Sequence, residues 1–104
     1  MAGLGKLLKQ AQKMQEDMQR IQEELTRREV EGSAGGGAVK AVAKCDGSVV
    51  SIKIDPKVVD PKDVEMLEDL VLGAVTNALH TAKKTQETEM GKITAGMNIP
   101  GLGM

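Results

Sequence analysis

Apolar residues in the first quarter of the chain fall at Leu4, Leu7, Ala11, Met14, Met18, Ile21 and Leu25. The steps alternate three and four, which is the repeat of a helix packed along a seam against another helix. The pattern predicts a helix from about Gly3 to Glu29, within segment 1–30. At about 40 Å it is too long to be covered by the rest of one small domain, so it is expected to project. GSAGGG at 32–37 cannot hold a helix and reads as a flexible hairpin connection. AVKAVAKC and SVVSIKI then flank Asp46-Gly47, a strong hairpin signal for a type I′ turn. Val50, Ile52 and Ile54 alternate with Ser51 and Lys53, giving one buried and one wet face. These strands occupy 31–58, and the segment from about Arg28 to Ser33 is a candidate edge strand.

A second helix is expected over 60–90, with Asp60 as N-cap, Pro61 at the first helical position and Asp63 in the first turn. Leu67, Leu70, Val71, Ala74, Val75, Ala78 and Ala82 recur at helical spacing and should face the sheet or a partner subunit. Residues 91–104, GKITAGMNIPGLGM, read as a flexible tail. The order is that of a single α+β domain over 1–104, α-β-β-(β)-α, with a long N-terminal helix, a small antiparallel sheet and a long second helix. Its strand edges and apolar stripes would be uncovered in one copy, and dimerisation would cover both.

Composition strengthens the dimer expectation. A chain of 104 residues has a modest core, and this one has no Phe, Tyr or Trp to enlarge it. The 14 basic and 15 acidic residues leave no global field, so any electrostatic function must be local. The single cysteine, Cys45, excludes an intrachain disulfide and suits a reducing cytosol. With no signal-peptide run and no apolar stretch of membrane-spanning length, the expectation is a soluble cytoplasmic protein without membrane association.

Candidate chemistry is sparse. GSAGGG lacks the Gly-Lys-Ser/Thr ending of a phosphate-binding loop, since Ala38 and Val39 follow Gly37. His80 and Cys45 are the only residues of their types, and no cluster has metal-ligand spacing. No catalytic residue, metal, cofactor or small-molecule substrate is therefore expected. The N-terminus is more informative: MAGLGKLLKQAQKMQ carries Lys6, Lys9 and Lys13 and no carboxylate. A helix start is the positive end of the macrodipole, where lysine is disfavoured.

The helical N-terminus, VKAVAKCDGSVVSIKIDP at 39–56, EMLEDLV at 65–71 and the closing GKITAGMNIPGLGM together resemble the YbaB/EbfC family of bacterial nucleoid-associated proteins. The resemblance covers essentially the whole chain. It implies an intertwined, tweezers-like homodimer that binds DNA in the cytoplasm and nucleoid and affects its conformation. It supplies no catalytic motif, and the choice of contact residues rests on this sequence.

Lys6, Lys13, Arg20 and Arg27 repeat every seven residues and form a basic row down one side of the first helix. Arg20 has Glu23 and Glu24 in reach and Lys13 has Glu16 and Asp17, whereas Lys6 and Lys9 have no such partner. Lys6, Lys9 and Lys13 are the first candidates for phosphate contact, with Arg20 and Arg27 next. Lys83 and Lys84, near the end of the second helix, are further candidates, although they also suit the helix dipole or Glu87. Lys40, Lys44 and Lys53 read as the wet face of the sheet, and the glutamines of the first helix as surface helix formers.

Without rings on which to stack bases, the chain fits duplex DNA held by its backbone better than single strands. The alternative is a coiled-coil adaptor whose Met14, Met18, Ile21 and Leu25 stripe binds a partner helix. Near-zero net charge favours that alternative.

Overall fold

The computed structural model describes residues 2–97. Helix α1 spans Ala2–Arg27, strands β1, β2 and β3 span Glu29–Ala34, Val39–Lys44 and Val49–Ile54, a short 3-10 turn covers Pro56–Val58, and helix α2 spans Val64–Met97. This is the expected α+β order, with the edge strand present as β1. The strands form one antiparallel sheet in the order β1-β2-β3.

Alternation decides which face is dry. Val39, Ala41 and Ala43 of β2 are buried, and their cross-strand partners in β1 are Ala34, Gly32 and Val30. Ala74 and Ala78 of α2 close over this face, with Leu70, Val71, Val75 and Leu79 around them. Glu29, Glu31, Ser33, Lys40 and Lys53 are exposed on the opposite face.

The core is built from small residues, so α2 and the sheet approach almost backbone to backbone. A Cβ on Gly32 would lie 2.6 Å from both the Ala74 carbonyl oxygen and Ala78 Cα. Gly32 is therefore a packing position. The GSAGGG run divides accordingly: Gly32, Ser33 and Ala34 belong to β1, and only the glycines at 35–37, with φ of 63°, 68° and 96°, turn the chain.

A second cluster, Leu25, Cys45 and Ala82 with Ile21 and Val30, joins α1 to the body. Beyond it α1 touches α2, and half-burial at Met14, Asp17, Met18 and Ile21 faces half-burial at Thr85, Glu89, Met90 and Ile93. From Gly3 to Lys13 every residue is exposed. The radius of gyration is 20.2 Å, against about 13 Å for a compact chain of this length.

Four local expectations change. Val50, Ile52 and Ile54 do not form a buried face: all three are exposed because α2 hardly reaches β3, and a bulge places Val49 rather than Val50 opposite Ala43. The hairpin turn closes with Gly47 N donating to the Lys44 carbonyl at 3.0 Å, so Cys45 and Asp46 are its centre and Gly47, at φ 95°, follows them. This is a three-residue loop with glycine in the left-handed position, in place of a two-residue type I′ turn. Asp60 caps a turn, its Oδ1 accepting from Lys62 N at 2.9 Å, while Asp63 caps α2 by accepting from Met66 N at 3.1 Å. Helix α2 continues past Met90 to Met97, through Gly91. Gly91 costs up to about 1 kcal/mol relative to alanine, and the half-buried contact along α1 offsets it. Of the expected tail, residues 98–104 lie outside the described residues.

Glycine substitutions separate the two roles. Gly32→Ala is expected to destabilise by about 3 kcal/mol or to prevent folding, because rigid backbone occupies the space the methyl needs. Gly91→Ala, with open space around its Cβ position, is expected to stabilise by about 0.5–1 kcal/mol. Urea midpoints moving in the same direction for both would refute this account of the helix–sheet contact.

Candidate nucleic-acid interface

Lys6, Lys9 and Lys13 all lie on the exposed stretch of α1. At 100° per residue they fall within an arc of about 60°, roughly opposite the arc of Leu4, Leu7, Leu8 and Ala11. The outer end of α1 thus has one basic and one apolar side, both in solvent. Among the described residues no ion pair engages these three lysines, and the nearest acids in sequence are Glu16 and Asp17.

Arg20 and Arg27 continue the row but are engaged. Arg20 pairs with Asp17 at 3.2 Å, three residues back rather than with Glu23 or Glu24, and thereby uses an acid within reach of Lys13. Arg27 Nε donates to the Glu23 carbonyl at 3.4 Å. Both arginines are exposed, and such pairings are worth little against a phosphate competitor.

Lys83 and Lys84 sit apart from the arm lysines. They directly follow Ala82, which packs with Leu25 at the foot of the arm, so Lys13 is about 18 Å further along α1 and Lys6 further still. Lys83 and Lys84 share a shallow depression with His80 and Glu87. Lys84 also lines an adjoining one with Arg28, Thr81, Thr85, Thr88 and Glu89. The structure therefore groups the candidates into an arm set and a foot set.

Arg28 is the residue that helical periodicity missed. It lies between α1 and β1, where no repeat marks it, and its Nη1 donates to Glu89 Oε1 at 3.3 Å across 61 residues of sequence. Lys92 donates to the same oxygen at 3.2 Å. The Lys92 hydrogen bond, with the charges of Lys92 and Arg28, holds the Glu89 carboxyl below its usual value. At the same end of the sheet, where Cys45 N donates to the Arg28 carbonyl at 3.0 Å, the Ser48 hydrogen bonds hold Asp46 low in its turn.

Cys45 is buried, and desolvation pushes its thiol up and away from the reactive thiolate. His80 is exposed among lysines. Among the described residues no group of His, Cys, Asp and Glu could hold a metal ion, and no helix is long and apolar enough to cross a membrane. The adaptor stripe is largely taken up within the chain, with Leu25 buried and Met14, Met18 and Ile21 half-buried.

Residues 1–97 match the model of the YbaB/EbfC DNA-binding family. The chain belongs to this family. A nucleoid-associated protein of Pelotomaculum thermopropionicum is 54% identical over 99 residues, covering 95% of this chain and 94% of the relative. One from Caldanaerobacter subterraneus subsp. tengcongensis is 56% identical over 99 residues, covering 95% and 89%. The crystal structure of an uncharacterized Helicobacter pylori protein shares the fold, with a TM-score of 0.70 at 18% identity over 90% of this chain and 96% of that one. YbaB/EbfC membership and the names of these relatives point to DNA binding in place of catalysis.

The Glu89 geometry fixes a sign for pH dependence. A carboxyl held below its ordinary value stabilises the fold above that value and loses the contribution as pH falls through the folded-state value. Glu89→Gln is expected to lower the urea midpoint at neutral pH, and to lower it progressively less as pH falls through the folded-state value of the wild-type carboxyl. An effect that stays constant from neutral to acid pH would show that the ion pairs contribute nothing.

Proposed function

We propose that this protein is a nucleoid-associated homodimer that binds double-stranded DNA through backbone contacts, with little sequence specificity. It thereby alters DNA conformation and contributes to nucleoid organisation and gene expression. Its location on this reading is the cytoplasm, at the nucleoid. The observation that carries the proposal is the acid-free, fully exposed stretch of α1 that holds Lys6, Lys9 and Lys13 without ion-pair partners. Lysines placed against the helix dipole weaken an isolated helix, and a phosphate ligand compensates for that cost.

Arg20 and Arg27 extend the contact surface down the arm, and Lys83 and Lys84, with Arg28 beside them, form its foot. Exchanging the Asp17 or Glu23 contact for a phosphate loses little, because those contacts are solvent-exposed. Base reading plays a small part, since the basic side of the arm offers lysines that recognise charge and the chain has no ring to stack or wedge between bases.

The dimer follows from what the single chain leaves uncovered. Helix α2 lies on β1 and β2 and barely reaches β3. Ile52 and Ile54 continue the dry face beside Ala41 and Val39, yet they are 42% and 39% exposed, and Val49 and Val50 are exposed next to them. The outer edge of β3 has no neighbouring strand. A second copy brought to this strand covers both the edge and the isoleucines.

If each arm engages about three phosphates, a dimer neutralises roughly six, and log K against log salt falls with a slope near −5. Fluorescence anisotropy of a mixed-sequence duplex is expected to give that slope, and Lys6→Ala/Lys9→Ala/Lys13→Ala to flatten it without changing the urea midpoint. An unchanged slope would remove the arm from the interface. Separately, Ile52→Lys is expected to shift the chain from dimer to monomer by light scattering; a variant that stays fully dimeric would exclude β3 as the joint.

A further inference from the structure

The sidedness of the outer arm has a consequence beyond phosphate contact. Leu4, Leu7 and Leu8 are 60%, 62% and 61% exposed, the largest apolar side chains uncovered on α1. With Ala11 they extend the same three-four seam whose inner members, Met14, Met18, Ile21 and Leu25, are half-buried or buried within the chain. A seam is a narrow stripe suited to another helix of the same periodicity, and here it runs on past the part the chain covers itself. Lys6, Lys9 and Lys13 occupy the opposite side of the helix. A duplex held by the lysines therefore leaves the leucines facing away from the DNA and into solvent.

Resting on the DNA-binding reading above, we infer that the Leu4, Leu7 and Leu8 face of α1 docks on the same face of the arm of a second copy bound to another duplex, so that paired arms bridge two DNA molecules. The surface is self-complementary, as a two-fold contact requires. Docking by the leucines turns both lysine sides outward, each towards its own duplex. Three leucines and an alanine per arm make a contact far below the roughly 1,000 Å² of a stable interface, so it does not hold free protein together. Two further effects act on DNA. Binding raises the local concentration of arms, and phosphates neutralise the lysines that make free arms repel, since no acid lies in residues 1–15 to offset them. Bridging is therefore a property of the DNA-bound state.

The test uses the full chain and the variant Leu4→Gln/Leu7→Gln/Leu8→Gln, whose changes are at exposed helix positions and keep good helix formers. A biotinylated duplex on beads is incubated with protein and a second, fluorescent duplex, and capture of the second duplex is measured beside single-duplex affinity by anisotropy. Wild type is expected to capture the second duplex, and the variant to capture it about tenfold less, as expected when a weak contact multiplied by local concentration is removed. Single-duplex affinity is expected to be unchanged. Capture that is equal in the variant overturns the inference and assigns bridging to the two arms of one dimer. Loss of single-duplex affinity together with capture also overturns it, placing the leucines against DNA. Wild-type binding without capture overturns the bridge alone, whereas no wild-type binding at all overturns the DNA-binding reading and the bridge with it. Flotation with phosphatidylglycerol vesicles that depends on the leucines, with capture unchanged, would make a lipid surface the occupant and overturn it likewise.

Discussion

The rest of the structure depends on how closely α2 lies on β1. Gly32 faces Ala74 and Ala78 with no room for a methyl group, and the neighbouring inward residues are mostly alanine. A contact of this kind gains little apolar area per residue and relies on close packing of backbone and methyl groups instead. It also fixes the lateral position of α2 over β1 and β2. An aromatic residue in that layer would lift the helix, and a lifted, shifted helix could reach β3. Close approach is therefore what leaves Ile52 and Ile54 uncovered, and an uncovered apolar face beside an unpaired edge is the surface the proposed second copy would cover.

The same thin core explains the elongation. With so little interior to wrap, neither helix can spend its length on the sheet. α2 leaves the sheet after Ala82 and runs on beside α1, and α1 runs on beyond the half-buried stretch that ends at Met14. The outer arm from Gly3 to Lys13 is exposed throughout, and a helix with little tertiary support is sensitive to its own sequence. Its lysines and glycines are unfavourable choices for a free helix start. Their presence separates charge by position in a chain whose total is −1: the acids of α1 begin at Glu16, beyond the arm lysines. A nearly neutral protein can in this way present a local polycation, with a range set by the Debye length of about 8–10 Å, far shorter than the arm.

Much of this was legible in the sequence because it is written in period. The three-four seam gave α1, the alternation at Val50, Ile52 and Ile54 gave β3, and the alanine spacing gave the buried side of α2. What was not legible depends on contacts between distant segments or on competition between equivalent local signals. Asp60 and Asp63 both precede a helical pattern, and Asp60-Pro61 reads as the better start, yet the chain makes a turn there and caps at Asp63. The continuation of α2 to Met97 depends on α1 lying alongside, which no window around Gly91 contains. Gly32 looked like the first residue of a loop because its packing partners lie more than forty positions later in sequence. Arg28 belonged to no repeat, and its partner Glu89 is brought to it only by the fold. The arm lysines differ: they are exposed and, among the described residues, engaged in no ion pair, and their contact with DNA is the proposal made above.

Placing the basic and apolar sides of one helix opposite each other also bears on how the proposed DNA-binding arm would work. An arm with leucines beside its lysines would have to desolvate ammonium groups to bury the leucines, or leave leucines in water when the lysines meet phosphate. With the two sides roughly 180° apart the two contacts do not compete. They are coupled only through charge, because neutralising the lysines on one side lowers the repulsion that opposes docking on the other. Coupling of that form weakens with added salt from both directions at once, since salt displaces the phosphates and screens the repulsion that their binding relieves. On the proposed reading the helix would link an electrostatic contact to an apolar one without any change in its own conformation.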